Sequence, residues 1–308
     1  MSELRRQLSD YVAYRRSLGY VMKEADFLLP SFVAYLEDRG ARHVTTELAL
    51  AWAISPSGVL PVTRHQRLGV VRGFARYLKT FDDSTEVPPP DLLPATYSRV
   101  TPYLYSDEEI ERLMAAARSL SATLRAFTYE TLIGLLAVSG MRIGEAIRLD
   151  RGDVDSGQSL LVVRNSKREK AREVPLHETT LEALSAYAKL RDHQYPEWTS
   201  ESFFVSTIGT RLYPACVNHT YRDLVALAGL EGRGPRCRPR IHDLRHSFAV
   251  KTLIGWYREG LDVDARMPLL SKVLGHANPA STYWYLQAAP ELLALVARQV
   301  EPVFGEMP

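Results

Sequence analysis

The chain predicts a mainly α-helical protein with one small β-hairpin, divided into two domains by a proline-rich linker. Three observations carry this. Apolar residues recur at the three-and-four spacing of amphipathic helices along most of the chain. One pair of short runs, Leu160-Leu161-Val162-Val163-Arg164 and Glu173-Val174-Pro175-Leu176, has strand character, joined by a turn rich in Lys and Arg. Between residues 82 and 94, Pro88-Pro89-Pro90 and Pro94 stand among acidic residues, a composition that favours extended chain. A length of 308 residues suits about two domains. They are bounded here as 1–84 and 103–308, with the linker at 85–102.

Each element follows from its own pattern. In the front domain Leu4, Leu8, Tyr11, Val12 and Leu18 share a helical face that Gly19 stops. Phe27, Leu28, Phe32, Val33 and Leu36 form a second stripe, closing near Gly40. Thr45 to Ile54 gives a short third helix. Thr63 to Leu78 gives a fourth, with Leu68, Val71, Phe74, Ala75 and Leu78 inward and its arginines outward. After the linker, Ser106-Asp107-Glu108-Glu109 is a capping box that opens a helix towards Leu120. Ser121 or Thr123 starts a long apolar helix that ends at Ser139-Gly140, where glycine suits a left-handed stop. Met141 to Leu149 forms the next helix and puts Arg142 in its first turn. Beyond the hairpin, helical patterns cover 179–190, 214–227, 242–253, 269–274, 279–286 and 290–300.

Composition narrows the class. With 46% hydrophobic and 24% charged residues, the chain has enough apolar material for real cores. Its longest apolar stretch, around Leu132 to Val138, is far short of the ~20 residues that span a bilayer. The N-terminus lacks the apolar block of a signal peptide, and Cys216 and Cys237 have no ligand spacing. A cytoplasmic protein without a disulfide framework or structural zinc is expected. The net charge of +2 hides three basic runs. They are Arg64 to Lys79, Arg164 to Arg172 and Arg233 to Arg245, with acidic residues concentrated elsewhere. Their clustering favours a DNA surface over scattered solvated charge.

The chemistry-bearing residues lie in three short stretches. Arg142 at a helix start places its guanidinium, and nearby backbone N–H groups, where one phosphate could meet both. Paired with Glu145 it would instead be an ordinary surface arginine, or Glu145 would orient it from behind. His242 and Arg245, three apart, share a helical face. His242 and His246 have the i, i+4 spacing of a zinc site, but Asp243 stands where the zinc-protease glutamate would, and the intervening Arg245 repels cations. Leu274-Gly275-His276 leads to Thr282-Tyr283-Trp284-Tyr285. Asn278-Pro279 opens a new helix between them, so periodicity cannot choose between Tyr283 and Tyr285.

Together these stretches resemble the tyrosine recombinase (phage integrase) family. The family's pattern is matched by Gly140-Met141-Arg142-Ile143-Gly144-Glu145, Lys167 before Val174-Pro175-Leu176, His242-Asp243-Leu244-Arg245, Gly275-His276 and Thr282-Tyr283-Trp284-Tyr285. The match runs over roughly residues 103 to 290, and the helical front looks like the family's SAM-like core-binding domain. The hairpin departs from the usual Gly-Lys-Gly, reading Asn165-Ser166-Lys167-Arg168, with Lys170 as a rival lysine.

The resemblance implies that Tyr285 attacks a DNA phosphate to give a 3′-phosphotyrosyl enzyme and a free 5′-hydroxyl. It implies that Arg142 and Arg245 clamp the non-bridging oxygens, that His276 adds a hydrogen bond, that Lys167 protonates the leaving oxygen and that His242 is the general base. No metal or cofactor is implied. Arg64, Arg67, Arg72, Arg76, Arg164, Arg168, Lys170 and Arg240 are the expected DNA contacts. The partners would be double-stranded DNA, held in a two-domain clamp, and sibling protomers in a tetramer, homomeric or shared with a sister recombinase. Leu292, Leu293, Leu295, Val296 and Val300 offer an apolar stripe for docking to a neighbour or for packing at home. Integration, excision or transposition of a mobile element would be the task, in the cytoplasm at the nucleoid. The alternative is an accessory DNA-binding protein of the same fold without catalysis.

Overall fold

The computed structural model describes residues 2–95, 100–164, 171–276, 278, 280–288 and 292. The chain divides into two compact units, Met1–Arg99 and Val100–Pro308.

In the first unit, α1 (Glu3–Ser17), α2 (Lys23–Glu37), α3 (Thr46–Ile54) and α4 (Pro61–Leu78) pack around Leu29, Phe32, Trp52, Leu68 and Phe74. Local chemistry sets their starts. The Ser2 and Thr45 side chains accept the N–H groups of Arg5 and Leu48, and Pro61, with no N–H to satisfy, opens α4. One expected core position is corrected. Phe27 is 82% exposed, and Leu29 takes the inward place that the α2 stripe assigned to it. Leu18, also expected inward, is exposed because α1 has already ended.

The proline segment forms neither helix nor strand and lies against this same unit. The Glu86 N–H donates to the Val44 carbonyl at 2.8 Å, and the Glu86 carboxylate accepts the Thr46 N–H. Arg72 Nε donates to the Pro88 carbonyl at 2.8 Å, and Nη2 donates to those of Pro89 (2.8 Å) and Pro90 (3.3 Å). Proline carbonyls have no ladder partner of their own, so a buried guanidinium satisfies three of them at once.

In the second unit α5 (Asp107–Arg118) starts at the expected capping box, complete in both directions at Ser106 and Glu109. It packs along α6 (Thr123–Ser139), whose buried Leu132, Ile133 and Leu136 centre the larger core. One short helix follows, α7 (Ile143–Ile147). Then β1 (Val154–Asp155), β2 (Leu160–Val163) and β3 (Arg172–Pro175) form an antiparallel sheet in that order. Register pairs Leu161 with Val174 and Val163 with Arg172. Side chains alternate between faces along a strand, so Leu161, Val163 and Val174 point into the core.

Helices α8 (Glu178–Gln194), α9 (Pro214–Leu227), α10 (Asp243–Arg258), α11 (Val263–Leu274) and α12 (Ala280–Ala288) complete the described chain. Helix α11 begins six residues before its expected start. Asp262 caps it by accepting the Ala265 N–H, and Pro268, which reads as a break, is carried inside the helix. Helices α10 to α12 enclose a second cluster built on Ala249, Leu253, Leu270, Leu274 and Tyr285. Leu292 is buried in that cluster; the rest of the expected docking stripe lies outside the described residues. No helix among the described residues is long and apolar enough to cross a membrane.

Candidate active site

Two glycines that end helices build the site. Gly140 ends α6 at φ 59° and Gly275 ends α11 at φ 67°, both left-handed, a region that L side chains enter at a cost. A Cβ on Gly140 would also lie 2.3 Å from the Phe248 ring. Each glycine presents its carbonyl to an arginine from elsewhere. Arg245 Nη1, on α10, donates to the Gly140 oxygen at 2.8 Å. Arg142, two residues after Gly140, donates through Nη1 and Nη2 to the Gly275 oxygen at 3.3 Å. The helix stops thereby crosslink the two arginines that the sequence places 103 residues apart.

The arginines differ in what surrounds them. Arg142 is 41% exposed at its side chain and is held from behind by Glu145. The Glu145 carboxylate accepts Arg142 Nη1 at 2.9 Å and the Arg142 backbone N–H at 2.8 Å. Of the backbone N–H groups at this helix start, expected to share a phosphate with the guanidinium, that of Arg142 is therefore already used. Arg245 is 2% exposed, and its Nη2 is buried without a hydrogen-bond partner among the described residues. Burial, reinforced by the charge of Arg142, brings its pKa down to about 10, which leaves it charged at neutral pH.

Tyr285 and Tyr283 part company on α12. Tyr283 is 44% exposed and Tyr285 only 2%. The Tyr285 ring stacks on His276 at 6.0 Å and packs against His246 at 5.5 Å. Burial raises its pKa, while the charges of Arg245 and Arg142 pull it down. The phenol therefore faces the arginines. Thr282, one turn earlier on the same helix, places its hydroxyl 2.6 Å from His276 Nδ1. The Thr-x-x-Tyr spacing thus orients a histidine and a tyrosine from one helix face.

Two imidazoles, His246 and His276, adjoin the phenol, and a third, His242, meets His246. Desolvation, then the charges of Arg245 and Arg142, takes the His276 pKa down to about 4. His246, whose Nδ1 is buried without a partner among the described residues, falls to about 3, with desolvation again the first cause. His242, the N-cap of α10, is exposed as a residue, yet protein packed about its ring still lowers its pKa. All three are neutral near pH 7. The His242 and His246 rings meet edge to face at 4.9 Å, and among the described residues no three His, Cys, Asp or Glu side chains converge as a metal cage.

Of the residues expected to act together, Arg142, Arg245, His276 and Tyr285 converge, with His242 at the rim. Lys167, Arg168 and Lys170 lie outside the described residues. The expected DNA contacts fare unevenly. Arg76 is exposed. Arg164 is 66% exposed and pairs with Asp153. Arg64 is half-buried. Arg67 stacks over Trp52 at 3.7 Å and donates to its carbonyl. Arg240 makes two bonds to the buried Asp243 carboxylate. Arg72 is corrected outright: buried beneath the proline segment, it has no surface role.

Arg172 escaped sequence reasoning, which counted it among the charges of the hairpin turn. It bonds Glu145 twice, and the signal for it was present. If Val174 and Leu176 point inward, so does the residue two before Val174.

Comparison with known proteins places this geometry. The phage integrase family profile matches residues 104–291. An integrase/recombinase of Sinorhizobium fredii (strain NBRC 101917 / NGR234), y4rB, is 42% identical over 98% of both chains. The tyrosine recombinase XerD of Caulobacter vibrioides (strain ATCC 19089 / CIP 103742 / CB 15) is 29% identical over 97% of this chain and 88% of its own. The solved structure of the Tn1549 transposon integrase in complex with transposon right end DNA superimposes with a TM-score of 0.64. At 16% identity it covers 96% of this chain and 98% of that one, a likeness of fold.

Proposed function

The chain belongs to the phage integrase family, and from that premise we propose that it is a site-specific DNA recombinase working through a 3′-phosphotyrosyl intermediate. One observation carries the reading: the Tyr285 phenol lies buried against Arg245 and His276, beside a guanidinium nitrogen that is buried and unpartnered. A buried donor without an acceptor is costly in a structural setting and useful where an anion is to arrive.

In this mechanism the Tyr285 oxygen forms a bond to phosphorus and the bond from phosphorus to O5′ breaks. The phenolic proton passes to neutral His242 as general base, and Lys167 delivers a proton to O5′. Arg142 and Arg245 hold the non-bridging oxygens through charge-assisted bonds that strengthen as the pentavalent transition state forms. If the Thr282 hydroxyl donates to His276 Nδ1, the His276 proton sits on Nε2, free to donate to the same oxygens. The phosphotyrosyl bond conserves the phosphodiester energy, so a 5′-hydroxyl from a second duplex completes exchange without ATP.

The partners in this reading are double-stranded DNA and three further protomers, of this chain or of a sister recombinase. Arg64, Arg67, Arg76, Arg164, Arg168, Lys170 and Arg240 supply phosphate contacts, acting in the cytoplasm at the nucleoid. Movement of a mobile element, by integration, excision or transposition, is the biological task.

Covalent trapping on a nicked duplex carrying the candidate site, in EDTA, tests this. Wild type is expected to give an SDS-resistant adduct that Tyr285→Phe loses and Tyr283→Phe retains. Loss in Tyr283→Phe alone would move the nucleophile. Tight DNA binding with no adduct would favour the accessory DNA-binding protein.

A further inference from the structure

Arg172 has no place in the mechanism above, yet it is among the most constrained cations in the second unit. It begins β3 on the inward face, opposite Val163, and its side chain is 10% exposed. Nη1 and Nη2 donate to the two Glu145 carboxylate oxygens at 3.2 and 2.7 Å. Nε donates to the Val273 carbonyl at 2.9 Å, in the last turn of α11. A Cβ on Gly275 would lie 2.7 Å from Arg172 Nη1, so the guanidinium fills the space beneath the turn that leads to His276. Both supports of Arg142, the Glu145 carboxylate and the Gly275 carbonyl, therefore rest on one buried side chain.

We infer that Arg172 is a positioning residue for the phosphate clamp, setting Arg142 through Glu145 and seating the Val273–Gly275 turn that carries His276. The inference rests on the recombinase reading above. A half-exposed arginine has many rotamers, and a clamp acts at full strength only when its donors are already aimed. Glu145 aims Arg142, but a buried carboxylate needs more than one partner to stay ionised and in place. Burial would raise its pKa; the hydrogen bonds of Arg172 and Arg142 bring it to about 2 instead. A planar fork is also the geometry that reaches two carboxylate oxygens and a carbonyl together, which a lysine ammonium cannot reproduce.

Lys167 stands five residues before Arg172 in the sequence, so an effect on the leaving-group acid is the competing explanation. The test separates the two. Single-turnover adduct formation is measured at saturating protein, beside the Kd for the same nicked duplex. The proteins are wild type, Arg172→Gln, Arg172→Lys, Glu145→Gln and the Arg172→Gln/Glu145→Gln double variant.

Arg172→Gln is expected to slow adduct formation about 10- to 100-fold, as removal of an outer partner does for metal-site ligands, with DNA affinity nearly unchanged. Arg172→Lys should recover part of the rate. The double variant should lose less than the product of the two single losses, because the two side chains share one contact. A substrate with sulfur at the bridging 5′ position, whose leaving thiolate needs no proton, should leave the Arg172→Gln defect in place.

Equal rates for Arg172→Gln and wild type, losses that multiply in the double variant, or rescue by the sulfur substrate would each overturn the assignment. Should Arg172→Gln fail to fold, the same readings on Arg172→Lys decide the matter. A wild type that forms no adduct counts against the recombinase reading itself, a distinguishable failure.

Discussion

Arg72 in the first unit and Arg245 in the second are both buried, and both bond to backbone carbonyls of a distant segment. They are used oppositely. Arg72 directs Nε and Nη2 at three proline carbonyls and so ties one stretch of chain to another. Arg245 is anchored by a single bond to Gly140 and keeps Nη2 buried and unpartnered among the described residues. An arginine buried for architecture spends its donors; one poised for an anion holds a donor back. Burial alone does not tell these two apart; where their bonds go does.

The sharpest way to break this contrast is to remove each in turn. Arg245→Ala takes away a donor aimed at the transition state, and such losses cost about 10²- to 10³-fold in rate. Single-turnover adduct formation should fall by at least that much, with a small change in Tm. Arg72→Ala should do the reverse. Its carbonyl partners lose bonds to a charged group, each worth roughly 1.5–3 kcal/mol, so the first unit should melt earlier while cleavage per folded molecule is kept. If Arg72→Ala slowed cleavage in folded protein, or Arg245→Ala lowered Tm as much as Arg72→Ala does, the contrast would fail.

A smaller effect sharpens the same point within one helix. Arg76 lies one turn beyond Arg72 on α4 and is exposed. Neutralising one phosphate contact lowers the slope of log K against log salt by about 1. Arg76→Ala is expected to show that reduction in a titration of DNA binding across salt. Arg72→Ala should leave the slope as it is in wild type, and a matching reduction there would return Arg72 to the DNA surface.

These outcomes bear on what was legible from residues alone. Caps and stops were readable, because Ser106, Gly140 and the His242 to Arg245 turn act through neighbours three or four residues away. The inward role of Arg172 was readable in principle from strand alternation, but it was masked by the lysines and arginines of the turn it adjoins. The fate of Arg72 was not, since nothing near it in sequence says that prolines sixteen to eighteen residues on will need donors. The choice of Tyr285 over Tyr283 was likewise closed to periodicity. It depends on where α12 lies against α10 and α11, a tertiary fact. Phe27 is the opposite case: two residues from both Ala25 and Leu29, it lies on the far face of α2, as helical periodicity already implies, and it is exposed.

The site's neutral histidines give the smallest prediction, and its sign follows from linkage. His276 and His246 have folded pKa values of about 4 and about 3, and that of His242 is also lowered, each from an ordinary value of 6.5. As pH falls below 6.5 the unfolded chain takes up protons that the folded chain refuses, so stability declines from there towards pH 4. Glu145 acts later. Its pKa is depressed from 4.5 to about 2, so the stability it contributes is intact above 4.5 and is lost only as pH falls through the lower value. Between pH 6.5 and 5 the histidines of the site therefore carry the dependence, ahead of the carboxylates. His246→Gln removes one such group without adding a charge, and its amide offers the buried position a donor and an acceptor. The Tm of wild type should fall from pH 6.5 to 5, and that of His246→Gln should fall less steeply. Parallel profiles would mean that His246 takes its proton in the folded state, and the positive surroundings of Arg245 and Arg142 would then have to be weaker than the packing of this site implies.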